Sequence, residues 1–362
     1  MKILFFITSL DVGGAERQVL DLAQRLESQQ HEILIAYLTG TAKLLPKDSS
    51  LKTIGFHAAK SPKSLVESFF LLRDTIKSFK PDVVHSHMVH ANLLARLVRL
   101  TIHIPRLICT AHSTNEGGGM RMFAYRFTNF LADATTNVSQ GAVKEFEARK
   151  AVKPGTMLMV PNGIDTDRFS FSEDSRQKVR GREGVSADQK IILAVGRFTE
   201  AKNYPSLLHA FASVLKSDSA LKLWIVGDGV LREALLALTE VLGISQEVTF
   251  FGVREDVADF YSAADVYVLS SSWEGFGLVV AEAMAAERVV VASDCGGVKE
   301  VLGNEGVLVR PGSSDDLAVA IRSALDIDPV SAAAMGRRAR QRILDKYSLD
   351  TVVRRWVELY RT

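Results

Sequence analysis

The sequence predicts an α/β protein built from two doubly wound domains. Three observations carry this. Short apolar runs alternate with amphipathic stretches along the whole chain. The alternation is interrupted once, by the turn chemistry of Pro161-Asn162-Gly163, and then resumes. The chain of 362 residues is too long for one common core and suits two domains of about 150–200 residues.

In the first half the strand-like runs are 3–7, 33–37, 83–85, 107–110 and 157–160, with helical periodicity over 16–26 and 65–79. In the second half they are 191–195, 222–226, 248–251, 266–269 and 289–292, with helices over 205–215 and 231–242. Runs that are apolar on both faces and separated by helices are parallel strands covered on both sides. The stretch 171–190 is polar and Gly-punctuated and reads as connecting chain; the linker falls near 161–170 and the second series of strands starts at about 188. Three helices end the chain, over 317–325, 331–346 and 347–361. The middle one carries Arg337, Arg338, Arg340 and Arg342, read as a solvated face, and the last places Val352, Val353, Trp356, Leu359 and Tyr360 at helical spacing.

The composition excludes several classes. With 47% hydrophobic residues and a net charge of +2 the chain is neither disordered nor strongly polyelectrolytic. Cys109 and Cys295, its two cysteines, lie far apart and read as reduced thiols rather than a disulfide framework. No apolar run reaches the roughly 18–20 residues of a bilayer span. The opening MKILFFITSL is followed by Asp11, Glu16 and Arg17 and reads as a buried first strand rather than a leader, so a cytoplasmic protein is expected. The net charge conceals an asymmetry: residues 1–160 hold 20 Lys+Arg against 13 Asp+Glu, a balance of +7, which leaves −5 on the remainder. A basic half favours anionic partners, or is simply an uneven solvated surface. No nucleic-acid-binding module is recognisable.

The candidate chemistry follows the strands. After the first run, Gly13 and Gly14 open a helix, a geometry that brings backbone close to an anion, or a tight turn and nothing more. The spacing is not G-x-G-x-x-G, and no G-x-x-x-x-G-K-[ST] occurs, which removes support for a dehydrogenase or a P-loop NTPase. Gly227-Asp228-Gly229 is a second phosphate-compatible turn. Arg197 and Lys202 follow the run 191–195 and offer a planar fork and a point charge to phosphate oxygens, unless they are ordinary surface cations. The richest segment is Glu274-Gly275-Phe276-Gly277-Leu278 with Glu282 two turns into the helix beyond. The first-turn N–H groups of Phe276, Gly277 and Leu278 suit a phosphate, and the two carboxylates suit sugar and ribose hydroxyls. Histidines gather in the first half: His85, His87 and His90 after one strand and His112 after another. The His85-x-His87 pair has no cysteine nearby in the sequence and the chain has no H-E-x-x-H, so a metal site is not expected.

Taken in order, these pieces resemble the retaining glycosyltransferases of family GT4 (glycosyl transferase group 1), with the GT-B fold. The matching residues are Gly13-Gly14-Ala15-Glu16-Arg17, Pro81-Asp82-Val83-Val84-His85-Ser86-His87, Ala111-His112, Pro161-Asn162-Gly163-Ile164-Asp165, Gly196-Arg197 with Lys202, the pair Glu274 and Glu282, and the turn ending in Cys295-Gly296-Gly297. The likeness spans nearly the whole chain. It implies two facing Rossmann-like domains: an N-terminal acceptor domain over 1–165, joined by a C-terminal helix over 347–362 that crosses back to it, and a nucleotide-sugar donor domain over 166–346. It implies a nucleotide-diphosphate-sugar donor, with UDP favoured, held in a cleft. Arg197 and Lys202 would then hold the diphosphate, Glu274 the donor sugar, Glu282 the ribose, and Gly13 and Gly14 the phosphates from the other domain. Arg254 would lie beside the base, and Gly275, Phe276, Gly277 and Leu278 would line the donor. His112 would contact the sugar at the reacting carbon, with His85 and His87 as acceptor candidates.

The resemblance implies no cofactor and no metal, the two cations replacing a metal's neutralising role. It points to a glycan or polyprenyl-linked acceptor in bacterial cell-surface polysaccharide or glycoconjugate synthesis. Two basic amphipathic stretches, 60–80 and 119–131, fit peripheral contact with an anionic membrane or packing on their own sheet. The competing functions are a nucleotide-sugar epimerase of the same fold and a non-catalytic nucleotide-sugar-binding protein.

Overall fold

The computed structural model describes residues 1–362 except 12, 43–49, 115–116, 187 and 219. Val12, in the first glycine turn, is therefore outside the described residues. The chain divides into two units, the first Met1–Gly163 with Leu349–Thr362 and the second Ile164–Ser348.

Unit 1 runs β1 (Lys2–Ser9), α1 (Gly14–Ser28), β2 (Glu32–Thr39), β3 (Lys52–Gly55), α2 (Pro62–Phe79), β4 (Val83–His87), α3 (Val89–Arg99), β5 (Arg106–Ala111), α4 (Gly119–Thr128), a short 3-10 turn (Asn129–Leu131), β6 (Ala134–Asn137), α5 (Gln140–Ala148) and β7 (Met157–Met159). Unit 2 runs α6 (Glu173–Arg182), β8 (Lys190–Val195), a 3-10 turn (Glu200–Lys202), α7 (Tyr204–Leu215), β9 (Leu221–Val226), α8 (Arg232–Val241), β10 (Val248–Gly252), α9 (Val257–Ala263), β11 (Val266–Leu269), α10 (Leu278–Ala285), β12 (Val289–Ser293), α11 (Val298–Leu302), β13 (Val307–Val309), α12 (Ser314–Leu325) and α13 (Pro329–Tyr347). The last helix, α14 (Leu349–Arg361), belongs to unit 1.

Both sheets are parallel, in the orders β3-β2-β1-β4-β5-β6-β7 and β10-β9-β8-β11-β12-β13. The central strands read as unbroken apolar runs because both faces are covered. In β1, Ile3, Phe5 and Ile7 enter one core with Val19, Leu22 and Leu26 of α1, while Leu4 and Phe6 enter another with Leu72 and Ile76 of α2. The strand order reverses beside β1 in unit 1 and beside β8 in unit 2. Ligand-binding loops of such sheets follow the carboxyl ends of the strands at these points.

The return of α14 to unit 1 follows from its apolar stripe. Val352, Val353, Trp356 and Tyr360 bury against the β1 and α1 core, and Trp356 lies 4.4 Å, ring to ring, from His85. The polar stretch 171–190 is not merely connecting chain. It contains α6, capped by Ser172 and held by Arg176 and Arg180, which both reach Asp265. The arginine run on α13 is likewise only partly solvated. Arg340 donates to the carbonyls of Ala285, Thr166 and Phe169, and Arg342 to those of Val301 and Glu300. Each places a cation where a helix ends, α10 for Arg340 and α11 for Arg342, and so satisfies carbonyls that the helix leaves unpaired.

Candidate active site

In unit 2, three loops meet at the carboxyl ends of β8, β11 and β12. The loop after β8 carries Arg197 and, in its 3-10 turn, Lys202. The loop after β11 carries Ser270 to Gly277. Backbone and hydroxyl bonds join the two: Ser272 N donates to Ala201 O and Ser270 Oγ to Lys202 O, both at 2.8 Å. The junction brings Lys202 Nζ to 2.5 Å from Glu274 Oε1, with both side chains mostly buried (18% and 15% exposed). Ser271 Oγ donates to the same oxygen at 2.8 Å. Among the described residues no hydrogen bond reaches Glu274 Oε2.

Arg197 is exposed and its guanidinium has no partner among the described residues. The loop therefore presents one neutralised and one uncompensated cation. Tyr204, fully buried, supports it from beneath by donating to Gly196 O at 3.0 Å. Gly227-Asp228-Gly229 acts as a buttress rather than an independent phosphate turn: Phe198 N donates to Asp228 O and Gly227 N to Gly252 O.

The loop after β12 explains its own glycine. Gly296 has φ +55, and a Cβ there would lie 1.8 Å from Glu274 O, so that only glycine lets this loop rest on the Glu274 backbone. The neighbouring Cys295 thiol is pushed up to about 12 by burial and by the Glu274 charge, which leaves it protonated and unreactive.

Gly277, at φ +89, turns the chain into α10. Phe276 is buried, its ring against Tyr347, so that its side chain belongs to the core and only its backbone can face a ligand. Glu282 is the fifth residue of α10, one turn in rather than two. Its Oε2 accepts from Tyr261 Oη at 2.8 Å. Arg254, the expected neighbour of a base, is committed to Asp256 by two bonds of 2.7 Å. Its charge is therefore already met.

In unit 1 the glycine turn leads into α1 as expected, with Gly13 as N-cap in extended conformation. The carboxylate of Glu16 folds back beside it: a Cβ on Gly13 would lie 2.2 Å from Glu16 Oε2, and Ser9 Oγ donates to Oε1 at 3.0 Å. The helix N-terminus thus has a carboxylate of its own, and it cannot simply be counted as an open anion site.

The histidines separate into two kinds. His85 is completely buried, with Nδ1 2.7 Å from Tyr360 Oη and Nε2 2.7 Å from Thr110 Oγ1. Its assignment to the acceptor is thereby corrected: it is a core residue that ties β4 to α14 and β5. His87 is also buried, with Nδ1 2.9 Å from Nε2 of the half-buried His112. Burial and the neighbouring histidines hold His85 and His87 well below the usual imidazole range, and burial lowers His112 to about 4. All three are neutral at pH 7. Among the described residues, no group of three or more His, Cys, Asp or Glu side chains is arranged to hold a metal ion.

Arg197, Lys202 and Glu274 are legible in the sequence because each lies in a loop that follows a strand, and Glu282 because it shares a segment with Glu274 and the glycines before α10. Ser271 and Tyr261 are not. Ser271 had a weak signal in the Ser270-Ser271-Ser272 run, whereas Tyr261 lies 21 positions from the carboxylate it touches and had none.

Comparison with known proteins fits this arrangement. Residues 12–168 match the family model Glycosyltransferase Family 4, and residues 175–342 match glycosyl transferases group 1. The alpha-maltose-1-phosphate synthase of Mycolicibacterium smegmatis is 32% identical over 306 residues, covering 77% of this chain and 78% of that protein. The N-acetylgalactosamine-N,N'-diacetylbacillosaminyl-diphospho-undecaprenol 4-alpha-N-acetylgalactosaminyltransferase of Campylobacter jejuni is 25% identical over 369 residues, covering 96% of this chain and 97% of that protein. The crystal structure of Anabaena HepE in complex with UDP-glucose has the same fold, with a TM-score of 0.87 over 99% of both chains at 22% identity.

Proposed function

The chain belongs to the group 1 glycosyl transferases of family 4, and on that premise we propose that it is a retaining, metal-independent enzyme that moves a sugar from a UDP-sugar to a lipid-linked glycan. It is a glycosyltransferase, and its two parallel sheets with α14 returned to unit 1 are those of the GT-B fold.

The observation that carries the donor reading is the convergence of Arg197, Lys202 and Glu274 at the carboxyl ends of β8 and β11. On this reading the donor diphosphate takes the place of the Glu274 carboxylate on Lys202 and is bracketed by Arg197. Glu274 then accepts from donor-sugar hydroxyls, the α10 N-terminus around Gly277 and Leu278 faces the phosphates, and Glu282 binds the ribose. The bond from sugar C1 to the leaving phosphate oxygen breaks while C1 bonds to the acceptor oxygen on the same face. The acceptor's proton passes to the leaving phosphate. Charge grows on that phosphate as the bond breaks, and preorganised cations acting on growing charge are commonly the largest catalytic contribution. No metal is required for that neutralisation. His112, neutral at pH 7 and linked to His87, contacts the donor sugar and orients it; it is not a nucleophile. Glu274 and Glu282 are ligand groups, not the carboxylate pair of a glycosidase.

UDP is favoured because HepE was solved with UDP-glucose, and the diphospho-undecaprenol in the Campylobacter relative's name supports a lipid-linked acceptor, which we place at the inner face of the cell membrane. The surface of unit 1 adds to this. Among the described residues no helix is long and apolar enough to cross a membrane. In α2, Leu72 and Ile76 bury, yet Leu65, Val66, Phe70 and Leu71 stay exposed. In and beyond α4, Met122 and Tyr125 bury while Met120, Phe123, Phe127 and Phe130 are exposed, near Arg126, Arg149 and Lys150. Aromatic side chains among cations suit an anionic lipid surface. Sedimentation with anionic but not neutral liposomes, lost on Phe123→Ser with Arg126→Glu, is the expected result; failure to bind either vesicle removes membrane docking from the account.

A thermal-shift screen of UDP-, GDP- and ADP-sugars tests the donor. A UDP-sugar is expected to raise Tm by mass action, and Arg197→Ala to abolish the rise. Isomerisation of the donor without acceptor would favour an epimerase instead.

A further inference from the structure

We propose that Tyr261 is the positioning residue that aims Glu282 at the nucleotide ribose, so that the hydroxyl of α9 sets ribose recognition by α10. The inference rests on the ribose reading of Glu282 given above and adds the group that makes that carboxylate selective.

The geometry is specific. The Tyr261 ring is fully buried, wedged edge-on to Phe169 at 5.9 Å and tilted against Tyr267 at 5.6 Å. With the ring fixed, its hydroxyl is aimed at α10. It lies 2.8 Å from Glu282 Oε2 and 3.3 Å from Val279 O, both on α10. An O–H bond to a carboxylate is charge-assisted and roughly twice as strong as a neutral one. It therefore restrains the rotamer of a long glutamate side chain, which loses substantial conformational freedom when it is ordered. A carboxylate held in advance forfeits less on binding. Burial and the Glu282 charge both push the Tyr261 phenol well above its ordinary range, so the hydroxyl keeps its proton and serves only as donor.

A purely structural tyrosine would tie α9 to α10 and nothing else. The two roles differ in one readout, the discrimination between ribose and a ribose without hydroxyls. A site built to bond a hydroxyl rejects the analogue that lacks it, and a general loosening of the fold does not alter that ratio.

The test is calorimetric binding of UDP and of 2′,3′-dideoxy-UDP to the full-length wild type, to Tyr261→Phe and to Glu282→Gln. The wild type is expected to favour UDP by roughly tenfold or more. Glu282→Gln is expected to abolish the preference, and Tyr261→Phe to reduce it to within about threefold while dideoxy-UDP binds as in the wild type. Tyr261→Met, which fills the same space without a hydroxyl, gives the same measurement should the Phe variant not fold. Full preference retained in the Tyr261 variant alongside its loss in Glu282→Gln overturns the positioning role and leaves the ribose reading intact. Equal reduction of both affinities by the Tyr261 variant, with the ratio unchanged, marks a structural residue and overturns it too. A wild type that fails to prefer UDP, or a Glu282→Gln that keeps the preference, overturns the ribose reading itself.

Discussion

Lys202 and Glu274 neutralise one another in a mostly buried corner of unit 2, and each is also required singly by the proposed reaction. Removing either therefore has two consequences. Glu274→Ala leaves Lys202 without its carboxylate and the donor sugar without an acceptor group; kcat/KM is expected to fall at least about 100-fold, with Arg197→Ala comparable because it acts on the same growing charge. Steady-state kinetics on the folded variants check both. The histidines of unit 1 give a pH prediction. His112 titrates at about 4 in the fold and near 6.5 when unfolded, with His85 and His87 lowered as well. Between those values the unfolded chain binds protons that the folded chain does not, so stability falls as pH drops from about 6.5 toward 4. The loss traced to His112 is expected to approach about 3 kcal/mol, read as a declining Tm, and His85→Gln or His87→Gln should flatten the slope. His112 follows β5 as the sequence predicts, whereas His85 and His87 lie within β4 rather than after it, and nothing in the sequence distinguishes their roles. The bond that makes His85 a core residue comes from Tyr360, 275 positions away.

At the scale of the element, the sequence revealed whatever advertises itself by apolar periodicity. The ten strand-like runs all fall on strands, and α10 starts at Leu278 as the helix pattern there predicts. The elements that escaped notice are those whose stability comes from elsewhere. β6 reads Ala134-Thr135-Thr136-Asn137, polar in three of its four residues yet wholly buried. Its side chains are satisfied by Thr110, Arg96 and Asn129 and by the Val138 amide, partners that periodicity does not reveal. β3 is a short edge strand and β13 only three residues long. α6 buries Val179 alone and depends on its cap and on Asp265. Arg340 and Arg342 of α13 depart from the expected solvated face, while Arg337 and Arg338 keep it: a cation that clasps carbonyls and one that faces water look alike in sequence. Arg340→Ala is expected to destabilise unit 2 by about 2–4 kcal/mol in urea denaturation, because buried carbonyls at the end of α10 lose a charged donor. It should also weaken donor binding, since α10 carries Glu282. In unit 1, Trp356→Ala is expected to cost about 3–5 kcal/mol by leaving a cavity against His85 and the β1 core.

For the whole molecule, a near-neutral total of +2 is the sum of +7 over residues 1–160 and −5 over the rest. Anion recognition is assigned to the half with the negative balance. It is therefore a property of a few placed groups and not of overall charge. The exposed aromatic residues of α2 and α4 lie in the half with the basic balance, the half proposed to meet an anionic lipid surface. The division of labour between the units rests finally on the reaction itself. The most direct measurement follows the anomeric proton by NMR while the full-length enzyme, in the presence of a chelator, turns over UDP-glucose with a polyprenyl-diphosphate-linked glycan. The account predicts release of UDP and a new glycosidic bond with the donor's α configuration, at a rate that Arg197→Ala cuts at least about 100-fold. A product of inverted configuration, or transfer by the Arg197 variant at the wild-type rate, would contradict it.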